Sequence, residues 1–191
     1  NTDELNRVLQ MLGENGSARG SVGNAYYQKN LAQGERIKEF GFNPELWTGK
    51  TGVNRRADDL LIRGRRTLDV KTGYPNGYPN KPDEIEQLKD YNDLIKASQN
   101  RKNVKLRKYL ADSGVTGGEL KTHDYLFLPN GSTNAEDAAR KSLVKIENRI
   151  ENKRDLTNIR IFYLKEDGNI YQLVRKNGEI TNVLIGNRLP N

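Results

Sequence analysis

The chain contains no cysteine. That excludes a disulfide scaffold, a thiolate zinc site, an iron–sulfur cluster and thiol catalysis. Its single histidine, His123, rules out a multi-histidine metal site and leaves any histidine-based hydrolase resting on one ring. Long hydrophobic runs are missing as well. Nothing approaches the roughly 20 apolar residues that span a bilayer, and the opening NTDELNRVLQMLGENGSARG has no secretory signal. Charge is plentiful: Lys+Arg total 32 against Asp+Glu 25, a formal balance of +7. Such a balance suits a polyanionic partner, nucleic acid first among them. The 191 residues are enough to bury a core without staples, and clear apolar segments argue against disorder. The chain opens on Asn, which reads as a piece cut from a longer protein.

Periodicity orders the rest. Leu5, Val8, Leu9 and Leu12 give a short helical period, and GENGSARGS should break it. A second helix is expected over about 22–40, stopped by Gly41, with FNPELWTGKTGVN as a loop. DDLLIRG and RRTLDVKTG read as two strands joined by a hairpin turn. YPNGYPNKP cannot be regular. DEIEQLKDYNDLIKASQ reads as a helix capped by Asp83, with Ile85, Leu88, Tyr91 and Ile95 on one face. RKNVKLRKYLADSG is basic and helical, with Gly117-Gly118 as a hinge. DYLFLP is a buried strand, PNGST a loop and NAEDAARKSLVKIENRIEN a helix. NIRIFYLKEDGNIYQLVRKNGEI holds strands turned at Asp-Gly and Asn-Gly. The fold class expected is α/β, a mixed central sheet flanked by helices. Residues 1–20 read as a helical appendage or linker and 21–191 as the main domain.

The chemistry concentrates in Arg55-Arg56-Ala57-Asp58-Asp59-Leu60-Leu61-Ile62 and Leu68-Asp69-Val70-Lys71. Residues two apart on a strand share a face. Asp69 and Lys71 therefore point one way, and Leu68 and Val70 point into an apolar layer. Phosphodiester cleavage needs such parts. Two carboxylates can hold a divalent ion, the ion polarises the phosphoryl group, and an ammonium orients water and stabilises developing charge. The rival is a solvated strand face with surface ion pairs. Arg55, Arg56, Arg63, Arg65 and Arg66 are expected around the acids as phosphate contacts. The run Arg101, Lys102, Lys105, Arg107 and Lys108 reads more simply as a solvated helix. His123 reads as structural. Tyr74 and Tyr78 either stack on a base or pack their loop.

The Asp…Asp-x-Lys arrangement resembles the active site of the PD-(D/E)XK nuclease superfamily, with Asp69-Val70-Lys71 matching the (D/E)-x-K triplet. The first acid is Asp59 or Asp58. Asp59 is favoured, because Leu60–Gly64 then follows it as the family's strand and turn do. Gln87 and Tyr91 resemble the Q-x-x-x-Y element of RecB-like members, near the lysine or a phosphate. The helical acid the family places earlier would be Glu35 or Glu39. The resemblance implies a restriction-endonuclease-like core over 21–191 and a metal-dependent endonuclease. It implies Mg²⁺ (Mn²⁺ or Zn²⁺ as alternatives) held by Asp59, Asp69 and the Val70 carbonyl, with Gln87, Tyr91, Arg55, Arg56 and Arg66 on the substrate. A cysteine-free, asparagine-rich, basic domain of this kind is also similar to the C-terminal toxin domain of contact-dependent growth-inhibition effectors. That similarity implies a DNase or tRNase delivered into a target cell's cytoplasm and neutralised by an acidic immunity protein. The rivals are a non-catalytic nucleic-acid-binding module and a restriction or repair nuclease.

Overall fold

The segment Thr122–Leu128 (THDYLFL) is buried along its whole length, as a strand is when helices cover both faces of a sheet. It is the middle strand of seven. The structure, a computed structural model, describes residues 2–13, 15–131 and 134–190. Glu14 of the expected glycine-rich break and Ser132 and Thr133 of the expected PNGST loop lie outside the described residues. In chain order the elements are α1 (Thr2–Leu12), α2 (Gly16–Tyr26) running into a π-turn (Tyr27–Leu31), β1 (Arg36–Phe42), α3 (Glu45–Thr48), β2 (Arg55–Leu61) and β3 (Arg66–Thr72). Then come α4 (Pro82–Ser98), α5 (Val104–Asp112), β4 (Thr122–Leu128), α6 (Ala135–Arg149), β5 (Ile159–Leu164), β6 (Ile170–Lys176) and β7 (Glu179–Gly186).

The strands lie side by side in sequence order, β1 to β7. β1–β3 form an antiparallel meander, β3–β4 and β4–β5 are parallel, and β5–β7 return to antiparallel pairing. The fold is thus α/β with a mixed sheet. The two parallel joins are bridged by α4–α5 and by α6, because a parallel neighbour needs a long crossover. Alternation sorts the side chains of β3 and β4 between the two layers. Leu68, Leu126 and Leu128 pack with Leu5, Leu9, Tyr27 and Leu31 on the α1–α2 side. Tyr125 and Phe127 pack with Leu88 of α4 and Ala138, Ala139 and Ile146 of α6 on the other. Among the described residues no helix is long and apolar enough to cross a membrane.

Four expectations change. The helix expected to reach residue 40 stops at the π-turn, and Arg36–Phe42 is an edge strand instead. Phe40 and Phe42, two apart, are 3% and 5% exposed and pack with Ala57, Tyr91 and Leu94. Burial of two aromatic rings outweighs the helical propensity of RIKEF. The glycine-rich stretch does end the first helix, at Leu12, but most of it is helical in turn, as α2. Its Gly23 lets the helix lie on the sheet, since a β-carbon there would clash with Thr72 Oγ1. No break falls at residue 20, because α2 runs through it and Leu5 and Leu9 of α1 belong to the shared core. Full burial of each leucine is worth about 1.5–3 kcal/mol. The cap of α4 also differs. Glu84 Oε1 accepts the Lys81 and Asn80 N–H groups, while Asp83 pairs outward with Arg55.

Candidate active site

β2 and β3 form a hairpin that is closed at one end and open at the other. Their ladder pairs Leu61 with Arg66, Leu60 with Thr67 and Asp59 with Leu68, and ends there. Beyond that point β2 stays on β1 as far as Arg55, while β3 stays on β4 as far as Thr72. The strands part into a fork, and two carboxylates fill its throat. Asp69 Oδ1 accepts the Asp58 N–H at 3.2 Å, and Asp58 Oδ2 accepts the Val70 N–H at 2.7 Å. Each acid thus satisfies a backbone donor, as buried backbone requires.

Lys71 lies one step along the same face. Its Nζ is 4.0 Å from Asp69 Oδ2, donates to Gln87 Oε1 at 3.4 Å and stands 4.2 Å from the Tyr78 ring centroid. The Tyr78 hydroxyl donates to the same Gln87 oxygen at 2.7 Å. Gln87, one turn into α4, thus joins the Lys71 ammonium to the Tyr78 hydroxyl. Asp69 is only 4% exposed. Burial works to raise its carboxyl, but His123, Lys71 and the Asp58 N–H outweigh that and hold it below its usual range. Burial and the Asp69 charge push the neighbouring Asp58 carboxyl well above its usual range. Two close carboxylates with opposed shifts form one unit.

Asp59, the favoured first acid, is not part of this unit. It lies on the opposite face, where its Oδ2 accepts the Tyr27 hydroxyl at 2.9 Å and meets Arg36 Nε at 3.3 Å. Asp58 is the acid that faces Asp69. The reason is the register: a turn over 62–65 that sets Leu61 against Arg66 brings Asp58 opposite Asp69. Alternation also slips once in β2, since Ala57 packs on the α4 side as Asp58 does. Glu39, across the sheet at that level, has a left-handed φ of 55°, the mark of a local irregularity that re-aims a side chain.

Burial raises the Asp59 carboxyl from 3.8 to about 6, against the pull of Tyr27 and Arg36. The folded state then holds the proton more tightly than the unfolded chain, so the stability it contributes is present below pH 4 and is lost as pH rises through 6. Wild type should lose on the order of 3 kcal/mol relative to Asp59→Asn between pH 4 and pH 7. Paired urea titrations at the two pH values measure this; a difference that is flat or grows with pH contradicts it.

The remaining expected residues are placed as follows. Glu35 precedes β1 and Glu39 lies within it; both are exposed and neither is helical. Neither is brought to the fork by any contact described. Arg55 is spent internally, with Nε donating to Asp90 Oδ2 at 2.7 Å and NH1 reaching Asp83. Arg66 faces the α1–α2 side and donates to Thr122 Oγ1 at 2.7 Å, and Arg63 and Arg65 lie at the closed end of the hairpin. Arg56 remains exposed at the open end. Tyr91 is fully buried, stacked on His123, so it supports the site from behind and does not meet a phosphate. The basic run 101–108 follows the far end of α4. Depressions open at both tips of the fork: one at the end of β3, lined by Ser17, Gly73, Tyr74 and Lys81, and one at the start of β2, lined by Lys50, Thr51 and Gly52.

Sequence reasoning gave His123 a structural part only. The strand expected, DYLFLP, began one residue after it, and the parallel register, Thr67 beside His123 and Asp69 beside Tyr125, carries no local signal. Among the described residues no three His, Asp or Glu side chains converge as a metal cage. The donors that suit a hard divalent ion are the two carboxylates and the Val70 carbonyl. The Asp58 and Asp69 carboxylates share one throat, and a like-charge pair is what a cation would relieve. The residues fit such an ion, with Asp58 in the place expected for Asp59. Compared with protein-family models, with curated proteins and with solved structures, the chain matches none.

Proposed function

We propose that the chain is a metal-dependent endonuclease with a PD-(D/E)XK-type core. The observation that carries the reading is the convergence of Asp58, Asp69 and Lys71 on one face of an open strand fork. Asp58, Asp69 and the Val70 carbonyl would hold Mg²⁺, which when bound polarises the phosphoryl group and acidifies a water. Lys71, aimed by Gln87 and Tyr78, orients the attacking water and offsets charge gathering on the phosphoryl oxygens. Water adds to phosphorus and one ester bond breaks, leaving a phosphomonoester and a free hydroxyl. Arg56 and the lysines at the fork tips, Lys50 and Lys81, are the cations best placed to meet a phosphate backbone.

The same reading makes the chain a toxin domain that acts on DNA or tRNA in a target cell's cytoplasm and is held inactive by an acidic immunity protein. The net charge of +7 supports both partners. Purified chain should cleave at least one of supercoiled DNA, linear DNA and total tRNA with Mg²⁺ or Mn²⁺, and EDTA should abolish the cleavage. Cleavage that persists in EDTA contradicts the reading, and salt-sensitive binding with no cleavage of any substrate supports a non-catalytic binding module instead.

A further inference from the structure

Behind Asp69 the sheet carries a buried polar chain for which cleavage itself has no use. His123 is fully buried, so it cannot touch a substrate. Its Nε2 faces Asp69 Oδ2 at 3.7 Å; neither atom has a hydrogen-bond partner, and Lys71 Nζ stands 4.0 Å from the same oxygen. Its Nδ1 lies 2.7 Å from Thr67 Oγ1, the residue beside it in the parallel register. The ring is clamped: stacked on Tyr91 with centroids 3.6 Å apart and planes 10° apart, and edge-on to Tyr125 at 4.6 Å. Two buried polar atoms left facing one another demand an account.

For the neutral ring the chemistry admits one assignment of protons. An ionised carboxylate can only accept, so the nitrogen facing Asp69 must carry the hydrogen. Nδ1 is then an acceptor, and the Thr67 hydroxyl, which can do either, donates. We propose that His123, held as the Nε2–H tautomer by Thr67 and clamped by Tyr91 and Tyr125, is the positioning residue that sets the orientation of the Asp69 carboxylate. With Oδ2 turned inward to His123, Oδ1 is presented to the fork beside Asp58. The arrangement parallels the buried partners that orient ligating groups in metal sites, where removing such a partner weakens metal affinity about 10–100-fold. The catalytic consequence rests on the nuclease reading; the orientation of Asp69 does not.

The test uses the fact that His123 is the chain's one histidine, so its imidazole nitrogens give unambiguous NMR signals in the ¹⁵N-labelled full chain. At pH 8 a long-range ¹H–¹⁵N correlation should show the Nε2–H tautomer. Asp69→Asn should shift the Nε2 signal and Asp59→Asn should not, and Thr67→Val should mix the tautomers. A predominant Nδ1–H form, or an Nε2 signal indifferent to Asp69→Asn, overturns the proposal. For cleavage, His123→Phe keeps the stacked ring without the donor and should raise the Mg²⁺ concentration for half-maximal rate at least tenfold. His123→Gln, which returns an N–H near the Nε2 position, should recover most of that loss. Equal Mg²⁺ dependence in wild type and His123→Phe, both folded by circular dichroism, also overturns it. If wild type cleaves nothing while the Nε2–H signal still answers to Asp69, the nuclease reading fails and the positioning of Asp69 stands.

Discussion

Asp58→Asn should reduce cleavage about 10³-fold or more, whereas Asp59→Asn should leave the rate within about threefold. The first figure corresponds to about 4 kcal/mol of lost transition-state stabilisation, a reasonable share for one of two carboxylates holding a divalent ion. Asn at position 58 keeps the shape and can still accept the Val70 N–H that Asp58 Oδ2 accepts at 2.7 Å. The loss therefore reports charge rather than a collapsed fork. Asp59 is held by Tyr27, Arg36 and Gln28 on the far face, and an Asn there still accepts the tyrosine hydroxyl. Single-turnover rates on whichever substrate is cut, with circular dichroism on each variant, decide the matter. The reverse pattern, with Asp59→Asn inactive and Asp58→Asn active, would return the first ligand to the residue the sequence favoured.

Arg160→Met should cost about 3–5 kcal/mol of stability, a fall in Tm of roughly 10 °C for a domain of this size. Asp124 is fully buried on the α1–α2 side of β4. Arg160 of β5 grips it in fork geometry, Nε to Oδ1 at 2.9 Å and NH2 to Oδ2 at 2.6 Å, and Thr122 adds a third donor at 2.7 Å. Removing the guanidinium takes the bidentate partner from a fully buried carboxylate and leaves Arg66, which shares Thr122 with it, as a remaining positive charge. The cost is that of the stranded ion, so Asp124→Asn combined with Arg160→Met should recover at least half of it. Guanidinium denaturation of wild type and the two variants measures both effects. A double variant no more stable than Arg160→Met would show that stacking of the guanidinium over the Phe162 ring, 4.9 Å from its centroid, carries the contribution instead.

Both results turn on which face of a strand a residue occupies, and that marks where the sequence was readable. The alternation Leu68-Asp69-Val70-Lys71 needs nothing beyond the strand's period of two, and Asp69 and Lys71 share a face as it requires. The amphipathic period of α4 likewise placed Leu88, Tyr91 and Ile95 inward. Choosing between Asp58 and Asp59 needed the hairpin register, and that depends on the turn. Counting across a tight turn at Ile62-Arg63-Gly64-Arg65 would have set Asp58 against Asp69; weighting the residues that follow each acid did not. The arginines failed for a different reason. Proximity in sequence to the acids placed Arg55 and Arg66 at the site, yet one is drawn to Asp90 and the other lies on the opposite face.

The sequence by itself determined the α/β class, the strand carrying Asp69 and Lys71, the helix behind them and the exclusion of thiol chemistry. All of these follow from local period and composition. Only the tertiary structure decided that Arg36–Phe42 is a strand, that α1 and α2 are part of the core, that Asp58 faces Asp69, and that His123 stands behind it. Each of those rests on contacts between residues far apart in the chain: two phenylalanines finding α4, a glycine admitting a helix to within reach of Thr72, a parallel strand arriving after a crossover of some 50 residues. Local propensity is worth a few tenths of a kcal/mol per residue, and burial of a single large side chain exceeds it several-fold, so wherever the two disagreed, burial prevailed.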